Sequence, residues 1–209
     1  MYHFFARTGN TNEYCRIRGE KVKRKWIIGL SCLFILFMTA LFIYYFRKGD
    51  TSRWQVALGG IGASALPLLL LFAKKNPFNL PIIIGYYITI FCTIFLGSIA
   101  SFYLKHNWWD STIHFYKGIL VGFMGIALYK LWVTEQARKS VSRPILFLFT
   151  LSLAVTASVL WEIYEFAGDQ FFTHTMQRGG NKDTMFDLLA GTSGGLLASL
   201  YAVIRKPNL

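Results

Sequence analysis

Six apolar blocks, each about as long as a bilayer core is thick, leave this chain one kind of solvent to fold in. They lie near Trp26–Phe46, Trp54–Phe72, Leu80–Tyr103, Ile113–Val133, Pro144–Phe166 and Thr184–Ile204. A helix needs about 20 mostly apolar residues to cross the hydrocarbon. The connections between blocks are short, so no soluble domain fits between them. Composition agrees: 54% of the 209 residues are hydrophobic and only 15% are charged, against about 25% charged in a soluble domain. Three cysteines in this length exclude a secreted disulfide scaffold. The hydrophobicity excludes a disordered chain. The first block is too long for a cleaved signal peptide, and Arg47-Lys48 follows it with no small-residue cleavage pattern.

The expected fold class is therefore an all-α membrane protein with six transmembrane helices. Residues 1–25 form a basic N-terminal segment and residues 26–209 the six-helix transmembrane domain. Six spans return both termini to one side. Seven Lys/Arg lie in the first 25 residues, Lys74 and Lys75 follow span two, and Arg205 and Lys206 lie in the tail. Lys130, Arg138, Lys139 and Arg143 follow span four, so one side holds 15 of the 22 basic residues. The positive-inside rule makes that side, and both termini, cytoplasmic. The net charge of +12 does not point to nucleic acid, because the basic residues flank apolar blocks and form no groove-like stripe. They read as topology signals and as contacts to the anionic lipid of the bilayer. Cys15 is expected to be cytosolic and reduced, and Cys32 and Cys92 to lie in spans, so no disulfide is expected.

The acids are distributed differently. Of ten, Glu162, Glu165, Asp169, Asp183 and Asp187 fall in the last quarter, and Asp110 opens span four. All six fall on the expected outer side. Against them stand Lys117, Arg178 and Lys182, a local net charge of −3 inside a +12 protein. Span five runs outward, so Glu165 lies about 30 Å along it, near the outer boundary, with Glu162 about one turn deeper. Asp187 is about one turn into span six, His114 is level with it, and Lys117 is deeper.

Facing agrees with depth. Asp110 and His114 are an i, i+4 pair, and Glu162, Glu165 and Asp169 form an i, i+3, i+7 stripe. Asp183 and Asp187 are again i, i+4. The first stripe continues through Gly118 and Gly122, and the last through Gly191, Gly195 and Ser199. Small residues at this spacing let membrane helices approach closely. Spans four and six are expected to pack along them, with His114 near Asp187 and span five supplying Glu162 and Glu165. Charges at these depths must face protein or water, which implies a polar cavity open to the outside. The connection Ala167–Lys182 contains Phe171, Phe172, His174, Gln177 and the turn-forming Gly179-Gly180-Asn181. It is expected to cover the acidic layer as a lid, with Arg178 and Lys182 available to an anionic group. Asn181 or Asp183 is expected to cap span six.

Plainer readings stand beside each of these. Asp110 and Asp183 suit helix capping and dipole compensation. Glu162 and Glu165 lie near a helix C-terminus, where the dipole disfavours acids, so capping does not explain them. Solvated interface acids remain an alternative for that pair. His114 can bridge helices by hydrogen bonding. Lys117 can pair with an acid or snorkel. Trp108, Trp109 and Trp161 suit an aromatic belt, and Gly191-Thr192-Ser193-Gly194-Gly195 makes Ser193 a packing residue rather than a nucleophile.

Three functions fit the residues. The first is a divalent-metal site with Glu162, Glu165, Asp169, Asp183, Asp187 and His114 as candidate ligands, able to activate water. The second is metal-free acid–base catalysis by the same clustered carboxylates. The third is a proton- or cation-coupled transporter or channel subunit. A non-catalytic membrane scaffold is the bland alternative. No compact metalloprotease motif is present, and no inverted repeat is visible.

The pattern Asp110-x-x-x-His114, Trp161-Glu162-x-x-Glu165, Asp169, Gln177 and Asn181-x-Asp183-Thr184-x-x-Asp187 resembles the YjdF-like family of bacterial inner-membrane proteins. The layout of the last three spans is similar to VanZ-like proteins, which usually place an Asn where this chain has Gly191. The resemblance implies a bacterial cytoplasmic membrane and the same site residues, and it supplies no reaction. The expectation carried forward is a site under the outer surface that binds or acts on a lipid or lipid-linked head group. Glu162, Glu165 and Asp187 bind a cation or exchange protons there. His114 is ligand or acid–base partner, and Asp110 orients it. Arg178, Lys182, Lys117 and Gln177 contact the head group.

Overall fold

The computed structural model of the protein describes residues 5–171, 177 and 179–206, and within them the side chains of residue 14 and of residues 17 onward. Every element among the described residues is helical. Six stretches are long and apolar enough to cross a membrane: Ile17–Arg47, Thr51–Leu71, Leu80–Ile99, Trp109–Trp132, Arg143–Phe171 and Asn181–Arg205. The expected fold class is thus observed. The helices fall into two compact units, Met1–Ile83 and Ile84–Leu209.

In the first unit, helix α1 (Phe5–Arg47) runs 43 residues without a break. The basic segment and the first apolar block are therefore one rod, about 65 Å long. Gly49 turns the chain with a φ of +72°. Asp50 then caps helix α2 (Thr51–Ala65), accepting a hydrogen bond from the Arg53 amide at 3.1 Å and from Arg53 Nη1 at 2.6 Å. Helices α1 and α2 pack on each other, and Trp54 sets its edge against Phe42 and Phe46 at the turn. Pro67 sits in a tighter 3-10 stretch, Leu66–Leu71, that ends the second span.

Span three is built in two parts. Helix α3 (Leu80–Ile90) passes into a π-helix, Phe91–Ile99, whose wider turns are closed by bonds such as Ala100 N–H to the Phe95 carbonyl, 2.7 Å. The sequence pattern carries this span to Tyr103; the structure ends it at Ile99. Ser101 takes a left-handed conformation, φ 65°, and breaks the helix. Tyr103 belongs instead to the four-residue helix α4 (Phe102–Lys105) and packs its ring directly on Gly97, where a Cβ would collide with it.

The core of the second unit is made by α5 (Trp109–Trp132), α7 (Arg143–Phe171) and α8 (Asn181–Arg205), each packed on the other two. A short helix α6 (Glu135–Ser140), capped by Thr134, joins α5 to α7. At one end of the three helices Ile126, Tyr129, Leu146 and Ala202 form an apolar plug. The polar residues gather at the other end. Between the two, glycines set the spacing. A Cβ on Gly118 would strike the Gly191 carbonyl, one on Gly194 would strike the Phe115 carbonyl, and one on Gly122 would strike Ala198.

The α5/α8 contact expected from the small-residue stripes is present, but on a different line. Gly195 faces Ala154 of α7, not α5. The contact line on α8 runs through Asp187, Gly191, Gly194 and Ala198. Steps of four residues overshoot a 3.6-residue turn by about 40° each, so a strict four-residue stripe winds off its partner. Alternating steps of four and three stay on it.

Two outcomes follow from this packing. Gly118→Ala forces backbone apart and is expected to destabilise the protein by about 1–3 kcal/mol in thermal unfolding. Gly62→Ala, where nothing lies within 4 Å of the new methyl, is expected to leave the unfolding temperature unchanged or raise it. At the α2 cap, the Arg53 side-chain hydrogen bond and then its amide hold the Asp50 carboxyl below the usual carboxylate range. The cap's contribution is therefore present above the ordinary value of about 3.9 and lost as pH falls through the depressed one. Asp50→Ala is expected to remove that acid-side dependence and to speed hydrogen exchange at the Arg53 amide.

Candidate functional site

Gly191 lies where three helices converge. It faces Gly118 of α5 on one side and Ser158 of α7 on the other, with the His114 carbonyl also in reach. This convergence fixes what happens one turn away. His114 projects from α5 on the same face as Asp110 and Gly118, four residues to either side. It is only 2% exposed, and it meets acids from two directions. Its Nε2 is 3.5 Å from Asp110 Oδ1, and its Nδ1 is 3.5 Å from Glu162 Oε1 of α7. Both distances are long for hydrogen bonds. His114 Nε2 and Glu162 Oε1 are buried with no hydrogen-bond partner among the described residues.

Two ligand-like groups share this imidazole. Asp110, His114 and Asp187 each bring one donor atom within 4.8 Å of the others, and so do His114, Glu162 and Glu165. Donors about 2.1 Å from one ion sit about 3–4 Å apart, so either group needs only small side-chain rotations to hold a cation.

The surrounding contacts hold the acids in place. Ser111 Oγ donates to Asp187 Oδ1 at 2.8 Å, across α5 and α8. Trp161 Nε1 donates to Glu165 Oε1 at 2.7 Å, one turn along α7. Lys117 reaches over the same indole, its Nζ 4.0 Å from the ring centroid. Tyr103 is a further neighbour. Burial first, then the charges of Asp110, Glu165 and Asp187, push its phenol up.

The remaining expected residues sit elsewhere. Asp169 accepts the Gln177 amide at 2.8 Å, and Asp183 accepts the Gly179 amide at 3.4 Å. Both carboxylates hold the turn between α7 and α8 and stand outside the two donor groups. Gln177 donates through Nε2 to Thr184 Oγ1 at 3.0 Å, and Thr184 in turn hydrogen-bonds Glu162. Gln177 thus reaches the site through Thr184. Helix α8 is capped by Gly180, whose φ of 61° and ψ of −149° suit glycine alone, rather than by Asn181 or Asp183. Lys182 is exposed, its Nζ 6.0 Å from the Phe186 ring centroid. Phe172, His174 and Arg178 lie outside the described residues, and the lid expected there lies outside them with Arg178. Ser193, expected to pack, is instead exposed and donates to the Leu189 carbonyl within its own helix.

Three participants were not expected. Ser111 lies three residues before His114 on the same helix face, so extending that stripe backward finds it. Thr184 is in the quoted motif, yet only the fold shows it between Gln177 and Glu162. Tyr103 had no signal, because its place depends on the break at Ser101. Trp161 has two polar contacts that an aromatic belt does not require.

The chain belongs to the family described as "Predicted membrane protein (DUF2238)", whose model matches residues 29–208. It is 31% identical over 101 residues to a Thermotoga maritima protein described as "Uncharacterized protein". That match covers 48% of this chain and 50% of the relative, so the chain spans about half the length of the curated protein it matches. No solved structure matches it.

Trp161 links a cation and a carboxylate, and substitution can separate the two. Trp161→Phe keeps a ring face for Lys117 and removes the donor to Glu165. It is expected to cost about 1 kcal/mol in thermal unfolding. Trp161→Leu removes both contacts and is expected to cost more.

Proposed function

We propose that the His114 cluster holds a divalent cation and uses it to bind, or act on, the head group of a lipid or lipid-linked molecule. The observation that carries this reading is the orphaned, buried Glu162 Oε1, 3.5 Å from His114 Nδ1 and inside a group of potential ligands. Buried polar atoms of a native protein are almost always partnered, and a cation between carboxylates and imidazole supplies what protein hydrogen bonds do not. In this reading Glu162, Glu165 and His114 Nδ1 hold the ion, and Asp110 on the far nitrogen orients the ring, a common carboxylate–histidine–metal arrangement. Asp187, fixed by Ser111, faces the same space from α8. A bound ion would polarise a phosphoryl or carbonyl oxygen and lower the pKa of a coordinated water. Lys117 and Tyr103 are placed to meet an anionic group.

The basic excess at the opposite ends of the spans supports placing this site toward the outer face of a bacterial cytoplasmic membrane, with both termini inside. The resemblance of the motif to YjdF-like proteins supports the same residues as the site.

A second reading has one observation in its favour. Both imidazole nitrogens face a carboxylate, so His114 can pass a proton from α5 to α7 without a metal, as a proton- or cation-coupled transporter would use it.

Metal content of the detergent-purified protein, by mass spectrometry, separates the two. The parent is expected to carry a stoichiometric divalent ion, and Glu162→Gln to lose it while keeping its helical circular dichroism. Asp110→Asn is expected to weaken metal affinity by about 10–100-fold, the usual effect of removing an orienting carboxylate. A metal-free parent after divalent-ion supplementation overturns the metal reading. Proton flux in proteoliposomes, abolished by His114→Gln, would then establish the second.

A further inference from the structure

The first unit carries a feature that the His114 site does not use. Between Arg18 and Lys25, α1 presents five Lys/Arg against one acid, Glu20. That acid is already engaged, bonded to Lys23 Nζ at 2.9 Å. Lys23 also donates to the Asn76 carbonyl at 3.2 Å, which ties the loop after the second span to α1. The loop brings exposed Lys74 and Lys75 to the same end. Beside the tie lies an open cavity of about 510 Å³ lined by Arg18, Glu20, Val22, Lys23, Asn79 and Leu80.

A second, shallow and mostly apolar depression of about 310 Å³ follows along the face of α1, lined by Lys25, Trp26, Gly29, Leu30 and Leu33. At 100° per residue Arg18, Val22, Gly29 and Leu33 fall on one face, so the two cavities lie end to end. From Arg18 to Leu33 is about 22 Å, close to the depth of one leaflet with its head group. Trp26, 47% exposed, stands between the charged and the apolar part, where an interfacial aromatic belongs. Gly29 faces open space: nothing lies within 4 Å of where its Cβ would be.

We infer that this face of α1 is a binding site for an anionic phospholipid, its phosphate seated beside Arg18 and Lys23 and one acyl chain lying over Gly29. A mere topology signal needs the positive charge but neither the cavity nor the groove beneath it. A free phosphate needs the cavity but not the groove. Charge and groove on one helix face match an amphipathic anion.

The test is native mass spectrometry of the purified full chain, equilibrated with phosphatidylglycerol or phosphatidylcholine of matched chains. Phosphatidylglycerol is expected to be retained over phosphatidylcholine. Arg18→Gln is expected to lower its retention about fivefold, the factor for about 1 kcal/mol per basic residue at a membrane surface. Gly29→Leu fills the groove and is expected to lower retention with no change in thermal unfolding. Inorganic phosphate is expected not to displace the lipid. Equal retention of the two lipids, or unchanged retention in either variant, overturns the site. Displacement by inorganic phosphate at matched concentration also overturns it, in favour of a free anion. Metal content plays no part in these outcomes, so they stand apart from the His114 reading.

Discussion

The second unit depends on the backbone contact between Gly118 of α5 and Gly191 of α8. In hydrocarbon no hydrophobic effect drives helices together, so close packing of small residues must do so. Here it also sets chemistry. The contact brings α8 near enough for Ser111 to bond Asp187, and Ser158 on the far side of Gly191 brings α7 to the same level. With larger residues at these positions, the acids of three helices would face separate surroundings. The glycines serve packing and, through it, the placing of carboxylates around one imidazole.

Burying His114, Glu162 and Asp187 among apolar helices is costly unless each is compensated. The structure compensates them unequally. Asp187 has Ser111, Glu165 has Trp161, and Glu162 has Thr184 on one side only. Lys117 lies over the Trp161 indole ring. The turn between α7 and α8 is drawn into the same network through Asp169, Gln177 and Thr184, so the end of one helix and the start of the next are fixed relative to the cluster.

Much of this was legible in the sequence. Spans follow from length and apolarity, which is why all six were located, although the first begins well before Trp26, the third stops at Ile99 and the fifth runs on past Phe166. Which helix faces meet follows from i, i+4 spacing, and His114, Asp110, Asp187, Glu162 and Glu165 do come together. Asp169 and Asp183 share those stripes but sit at helix ends. There the demand of exposed turn amides decides the partner, and a stripe says nothing about that demand. Gly195 lies off the α5 contact and against Ala154 because a strict four-residue stripe drifts around the helix. Tyr103 was illegible because a π-helix and a left-handed Ser101 are local backbone events, and no periodicity records them.

His114 sits between two carboxylates through its two different nitrogens, Asp110 at Nε2 and Glu162 at Nδ1. A neutral imidazole has one lone pair and one N–H. Whichever side takes the lone pair sends the proton to the other. Asp110 and Glu162 therefore cannot both receive a proton from a neutral ring at once. The tautomer that donates to one turns its lone pair to the other. Exchanging them moves one proton and no backbone.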